Sequence, residues 1–220
     1  MFARPLFRSA RRLAAAALVA AGAAGFVPAA LAADSRAADI AAADSYLNGV
    51  TTLRARFLQT SGDGSVSEGT IYLSRPGRLR LEYDPPSPVL VVAKDGNLIY
   101  YDKQLQQVSY VAMDSTLAGV LVGPKVSLDA GNLKVVGVTH PPGALGLTVT
   151  RRDDPRQGQI TLVFTRAPFQ LRQWRVVDAQ GQITTVSLSD AERGIALDSK
   201  LFEFVDPRPK TGGGKGYRLN

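Results

Sequence analysis

The sequence predicts a mainly β protein of the α+β kind: one large curved antiparallel sheet with a helix in front of it and a short apolar helix in the middle. Three observations lead there. From Thr51 onward the apolar period is two, in short runs broken by turn residues. Asp95-Gly96 sits between two apolar runs, a strong local hairpin signal. No stretch between the runs is long enough for a crossover helix, so sequence neighbours are expected to pair antiparallel, as a meander.

Residues 1–33 precede the domain. They carry a basic start (Arg4, Arg8, Arg11, Arg12), no acid, an Ala/Leu/Val run and Ala30-Leu31-Ala32 as a small-x-small site. This is the layout of a secretory signal peptide, with cleavage expected near Ala32/Ala33. The apolar run is short for a membrane span and contains Gly and Pro. Arg11-Arg12 is a poor twin-arginine signal, because its neighbours do not complete that motif. The chain has no cysteine, so neither a disulfide framework nor the lipidated cysteine of a bacterial lipoprotein is expected, and the mature protein should be soluble and released.

The chain holds 26 Lys+Arg against 19 Asp+Glu. Four of the basic residues lie in the leader. Four more (Arg208, Lys210, Lys215, Arg218) lie in the acid-free tail 208–220, leaving 18 against 19 for a nearly neutral domain over 34–207. A nucleic-acid partner would need clustered Lys/Arg on the fold itself, so none is expected. The tail, rich in Gly and Lys/Arg, has nothing to bury and is expected to be disordered. It is either inert or a weak contact for anionic headgroups.

In chain order, Asp34 or Ser35 is placed to cap a helix in which Ile40, Ala43, Leu47 and Val50 recur at helical spacing, ending at Asn48-Gly49. Leu53, Ala55 and Phe57 then alternate with Arg54, Arg56 and Leu58. A second strand runs from Gly69 to Ser74. After the turn at Pro76-Gly77, Leu79, Leu81 and Tyr83 form an apolar face opposite Arg78, Arg80 and Glu82. Arg75 shares the parity of Ile71 and Leu73, which puts a guanidinium on the apolar side or on an edge strand's surface. Residues 88–111 hold three apolar runs, the first two apolar on both parities, so one face needs a cover or a guest. "DSTLAGVLVGPK" has Asp114 or Ser115 as a cap and Gly123-Pro124 as a stop. It reads as a short helix, either a lid piece or plain core. Strands follow at "LKVVGV", "LGLTVT", "GQITLVFTR", "LRQWRVVD" and "ITTVSLS", with a tight turn at Asp178-Ala179-Gln180-Gly181. "DSKLFEFVDP" reads as a single helical turn leading into Phe202 and Phe204.

Catalytic sets are scarce. The single histidine, His140 in "VTHPPG", reads as a turn residue. Without a second His or any Cys, common zinc sites and a Cys-His pair are ruled out. No Gly-x-Ser-x-Gly elbow supports a serine triad, and no Gly-rich phosphate loop is present. Asp84 and Asp153-Asp154 read as solvated loop acids. No cofactor is implied.

One ordered set stands out: Phe57-x-Gln59, Gly69, Arg75-Pro76, Arg80, Tyr83, Pro85-Pro86, Asp95-Gly96, Tyr101-Asp102 and Gln107-Val108, with "LDSKLFEFVDP" at the far end. From about Ser35 to Pro207 this resembles the LolA family, periplasmic carriers that move lipoproteins from the inner to the outer membrane. The related receptor LolB is itself a lipoprotein, and the missing cysteine speaks against it. The resemblance implies an incomplete antiparallel β-barrel curled around a hydrophobic cavity, with short helices as a lid, and no enzymatic activity. It further implies acylated lipoproteins as cargo, an inner-membrane ABC-type extractor and an outer-membrane acceptor as partners, a monomer, and a periplasmic location. Arg75 matches the inward arginine that bonds lid backbone in the empty, closed family member. The lipid-binding cavity is expected from Phe57, Ile71, Leu73, Leu79, Leu81 and Tyr83, from Leu90, Val92, Ile99 and Tyr101, from Leu117, Val120 and Leu121 in the apolar helix, and from Trp174. The family often has an aromatic residue where this chain has Leu79, which leaves the cavity's shape open. Other readings are a carrier of a different lipid, an exported enzyme, and a module using its apolar sheet for protein contact.

Overall fold

The computed structural model describes residues 29–113, 116 and 119–208, with the side chains of 29–33 and Val120 excepted. Eleven antiparallel strands form one sheet in the order β6-β5-β4-β3-β2-β1-β11-β10-β9-β8-β7. The first meander holds β1 (Thr52–Ser61), β2 (Val66–Ser74), β3 (Arg78–Tyr83), β4 (Val89–Lys94), β5 (Asn97–Asp102) and β6 (Gln107–Ala112). The second holds β7 (Leu133–Thr139), β8 (Ala144–Arg151), β9 (Gly158–Arg166), β10 (Phe169–Asp178) and β11 (Ile183–Arg193). Among the described residues the two are hydrogen-bonded to each other through the β1/β11 seam, where Phe57 lies opposite Leu188 and Gln59 opposite Val186. Among the described residues β6 and β7 pair with no further strand, so the barrel stays open. Register shifts at Arg54/Arg56, Val135/Gly137 and Leu171/Gln173 mark bulges, the usual device for curling a sheet. The expected meander is therefore present, as two meanders joined at a seam.

Helix α1 (Ala29–Gly49) lies across the concave face. It starts upstream of the predicted Asp34 or Ser35 cap, because Ala29 to Ala33 are strong helix formers and carry the helix through that point. Its stripe is the predicted one: Ala43, Leu47 and Val50 are buried, and Tyr46 packs edge-on against Phe164 and Phe169 at 5.8 and 6.0 Å. Helix α2 (Gly119–Val122) lies within the predicted apolar helix. It stops at Gly123, whose N–H bonds the Gly119 carbonyl. The proposed caps Asp114 and Ser115 lie outside the described residues, as do Leu117 and the tail 209–220.

The hairpins follow turn chemistry. Asp95 and Gly96 both have positive φ, 50° and 77°, as the two-residue hairpin turn requires. The convex face behind β3 to β5 is covered by the C-terminal segment. Its 3-10 turn, Ser199–Phe202, is capped by Asp198 and buries Phe202. Arg78 lies 5.6 Å from the Phe202 ring, Arg80 Nη1 donates to the Leu201 carbonyl at 3.1 Å, and Phe204 meets Tyr101 at 5.7 Å. The charged face of β3 therefore looks toward this strap and its apolar face toward α1.

Gly69 sets the curvature at one point. A Cβ there would stand 2.1 Å from the Glu82 carbonyl oxygen and 2.7 Å from the Phe57 ring. Phe57, paired opposite Gly69, thus packs where a side chain would stand. Gly69→Ala is expected to destabilise the fold by about 1–3 kcal/mol, the usual range for overpacking. Urea unfolding measures this; an unchanged midpoint would show that the contact is loose.

Candidate functional site

The concave face follows from register. Opposed residues of paired antiparallel strands share a face, so Leu53, Ala55, Phe57 and Gln59 face the same side as Leu73, Ile71 and Gly69, as Leu79, Leu81 and Tyr83, and as Ala93 and Val91. Through the seam they join Leu188, Val186, Trp174 and Leu162. Most of this surface is filled by α1 and by the segment after α2. One part is not. A cavity of about 170 Å³ remains, walled by Ile71, Leu73, Leu79 and Leu81 from the first meander, Leu171, Trp174, Val186 and Leu188 from the second, and Tyr46, Leu47, Val50 and Leu121 above. Among the described lining residues, Arg75, Gln59 and Thr184 are the polar ones besides the mixed side chains of Tyr46 and Trp174. The space is partly open to solvent, and its volume is that of a cavity that holds a single small ring.

Arg75, half-buried, stands at the α1 end of this hollow. Its Nε and Nη2 donate to the Leu121 carbonyl at 2.9 and 2.8 Å, and Nη1 donates to the Leu47 carbonyl at 2.6 Å. Both acceptors lie in the last turns of helices, where carbonyls lack intrahelical partners and carry partial negative charge. The next corner adds a backbone bond, Gly77 N–H to the Val122 carbonyl at 2.8 Å. Burial pulls the Arg75 guanidinium below its ordinary value. Its described partners include the Leu47 and Leu121 carbonyls at the two helix ends.

Asp44 and Asn48 on α1 fix the chain that follows α2. The Asp44 carboxylate accepts from the Leu128 N–H at 2.9 Å, and the Asn48 amide exchanges two bonds with the Val126 backbone at 2.8 Å. Burial raises the Asp44 carboxyl above its ordinary range, and the bonds from Leu128 and Ser127 offset only part of that. At the other end of the hollow, Tyr83 packs edge-on against Phe57 at 5.0 Å and donates its hydroxyl to Gln59 Oε1 at 2.7 Å. Burial, with Tyr100 nearby, pushes the Tyr83 phenol up to about 12, so it stays a donor at neutral pH.

Of the expected cavity residues, Ile71, Leu73, Leu79, Leu81, Leu121 and Trp174 line the hollow, and Arg75 meets it. Phe57 and Tyr83 share its face but pack against each other beside it. Leu90, Val92, Ile99 and Tyr101 are corrected: they point to the convex side, Leu90, Val92 and Ile99 being buried and Tyr101 packed on Phe204. Val91 and Leu98 take the inner positions, because Leu81 pairs with Val91 and Ala93 with Leu98. A run apolar on both parities cannot say which parity faces in; its pairing with the strictly alternating β3 does. Val120 belongs to α2, but its side chain, like Leu117, is outside the described residues. Leu47 and Val50 were visible in the helical stripe and had not been assigned to the cavity. His140 is more than a turn residue: its Nε2 lies 2.6 Å from Asp39 Oδ2, while Arg166 bonds Oδ1 at 3.1 Å, tying α1 to the sheet. Asp84 pairs with Arg56, and Asp153 and Asp154 pair with Arg151 and Arg156.

An unclosed antiparallel barrel, shut by helices over an apolar hollow, defines a lidded binding protein for apolar ligands. The family model described as "Outer membrane lipoprotein carrier protein LolA" matches residues 48–205, and the chain belongs to the LolA family. An outer-membrane lipoprotein carrier protein of Dechloromonas aromatica is 32% identical over 174 residues, covering 74% of this chain and 81% of that protein. One from Methylococcus capsulatus is 29% identical over 172 residues, with the same coverage. Among solved structures, a LolA superfamily protein from Nitrosomonas europaea aligns over 76% of this chain and 97% of its own, at 10% identity and a TM-score of 0.46.

Asp44→Asn keeps an acceptor for Leu128 and removes a charge that burial disfavours. It is expected to be at least as stable as the parent at pH 7, with the advantage fading as pH falls through the carboxylate range and the parent's own carboxyl takes its proton. Asp44→Ala leaves the Leu128 N–H bare and is expected to lose about 1 kcal/mol or more. Thermal unfolding at pH 7 and pH 4 measures both.

Proposed function

We propose that this chain is a periplasmic carrier that takes lipoprotein acyl chains into the hollow and moves them from the inner to the outer membrane. Membership of the LolA family supports the lipoprotein cargo. The observation that carries the mechanism is the Arg75 guanidinium bonded at once to the ends of α1 and α2 over an apolar cavity. Export and cleavage near Ala32/Ala33, loading by an ATP-driven extractor in the inner membrane and unloading at an outer-membrane acceptor complete the reading. Among the described residues no helix is long and apolar enough to cross a membrane.

The closed hollow is smaller than a fatty chain, so loading requires α2 to move. A buried methylene gains about 0.8 kcal/mol. A chain that hides about a dozen of them therefore gains on the order of 10 kcal/mol, and release needs a counterweight. Reclosing the lid supplies it, because Arg75 regains the Leu47 and Leu121 carbonyls only when the cargo has left. The latch is a two-state element whose balance the ligand shifts.

Two experiments test this. Purified mature protein incubated with spheroplasts is expected to bring lipoproteins into the soluble fraction bound to it; none appearing there would end the carrier reading. Arg75→Leu keeps the apolar fill and removes the latch, so it is expected to load cargo and retain it. Transfer from the variant to outer membranes at the wild-type rate would sink the latch.

A further inference from the structure

The hollow is not alike at its two ends. Leu53 and Gln59 are six residues apart on β1, about 20 Å of strand. Arg75 and the helix ends stand at the Leu53 end. At the other end Gln59 and Thr184 line the cavity. They are diagonal neighbours across the seam, since Gln59 faces Val186 and Ser61 faces Thr184.

Gln59 spends its carbonyl oxygen on the Tyr83 hydroxyl. An amide of this kind has two N–H donors besides, and among the described residues these have no partner. The Thr184 hydroxyl likewise makes no hydrogen bond there. Both groups keep access to solvent in the empty form, since among the described residues Arg80 Nε is the buried side-chain atom without a partner. A bare hydrocarbon filling the space would take that access away and leave the donors unsatisfied, whereas a ligand carrying a carbonyl oxygen would replace it.

We propose that Gln59 and Thr184 form a carbonyl-binding subsite, which takes the ester or amide carbonyl at the head of an acyl chain while the chain runs along the apolar wall toward Arg75. This rests on the carrier reading and adds to it an orientation and a chemical preference: acyl chains over alkyl chains of the same length. Tyr83 is a positioning residue that acts through Gln59, holding the amide with its N–H groups toward the hollow.

The test compares 1-palmitoylglycerol with 1-O-hexadecylglycerol, which differ in the ester carbonyl, as competitors of a hydrophobic fluorescent probe bound to the purified protein. The ester is expected to bind about threefold to tenfold more tightly, the worth of a net hydrogen bond. Gln59→Leu is expected to abolish the preference while keeping ether affinity. Tyr83→Phe is expected to lower the preference with ether affinity unchanged. Should Gln59→Leu fail to fold, the near-isosteric Thr184→Val carries the test and is expected to reduce the preference. Equal binding of ester and ether by the wild type, or full preference in Gln59→Leu or in Thr184→Val, overturns the subsite. If neither lipid displaces the probe from the wild type, the carrier reading itself fails.

Discussion

One guanidinium holds the closed form together. A hollow of about 170 Å³ costs at most roughly 4 kcal/mol relative to a filled space, the figure for a sealed cavity at about 24 cal/mol per Å³. Something must offset that cost if the empty protein is to stay shut. Arg75 does so by satisfying carbonyls at two helix ends with donors that would otherwise be stranded in an apolar wall. The cost of the hollow and the need of the arginine cancel each other only when the lid is down. On the proposed reading, a hydrocarbon chain in the space would remove the first term and break the second.

The rest of the molecule keeps that balance local. The segment after α2 is pinned to α1 by Asp44 and Asn48, and α1 is pinned to the sheet by Asp39 with His140 and Arg166. Behind the sheet, Phe202 and the strap bury the convex side of β3 to β5. The wall beneath the hollow is therefore backed on both faces. Of everything that encloses the hollow, α2 is the smallest element, four residues tied down by the Arg75 to Gly77 corner.

Much of this was legible in the sequence. Strict alternation in Leu53 to Phe57 and Leu79 to Tyr83 placed those strands and their inner faces. Asp95-Gly96 placed a hairpin, and the stripe Ala43, Leu47, Val50 placed the buried side of α1. Parity alone made Arg75 suspect. Reading failed where local pattern carries no side information. Leu90 to Ala93 is apolar on both parities because both faces are covered, and only register distinguishes Val91 from Leu90 and Val92. The seam was equally hidden, since nothing near Phe57 announces that it lies opposite Leu188, 131 positions later. Nor did Asp34 or Ser35, read as caps, mark an end of α1, since the helix already runs through them from Ala29.

That seam has a consequence for how the chain matures. Each meander is built from sequence-local pairings that close quickly, but β1 and β11 come together over a loop spanning most of the domain, which is entropically the slower step. The hollow has one wall from each half. A chain in which β1 and β11 have not paired thus lacks the joined walls of the hollow.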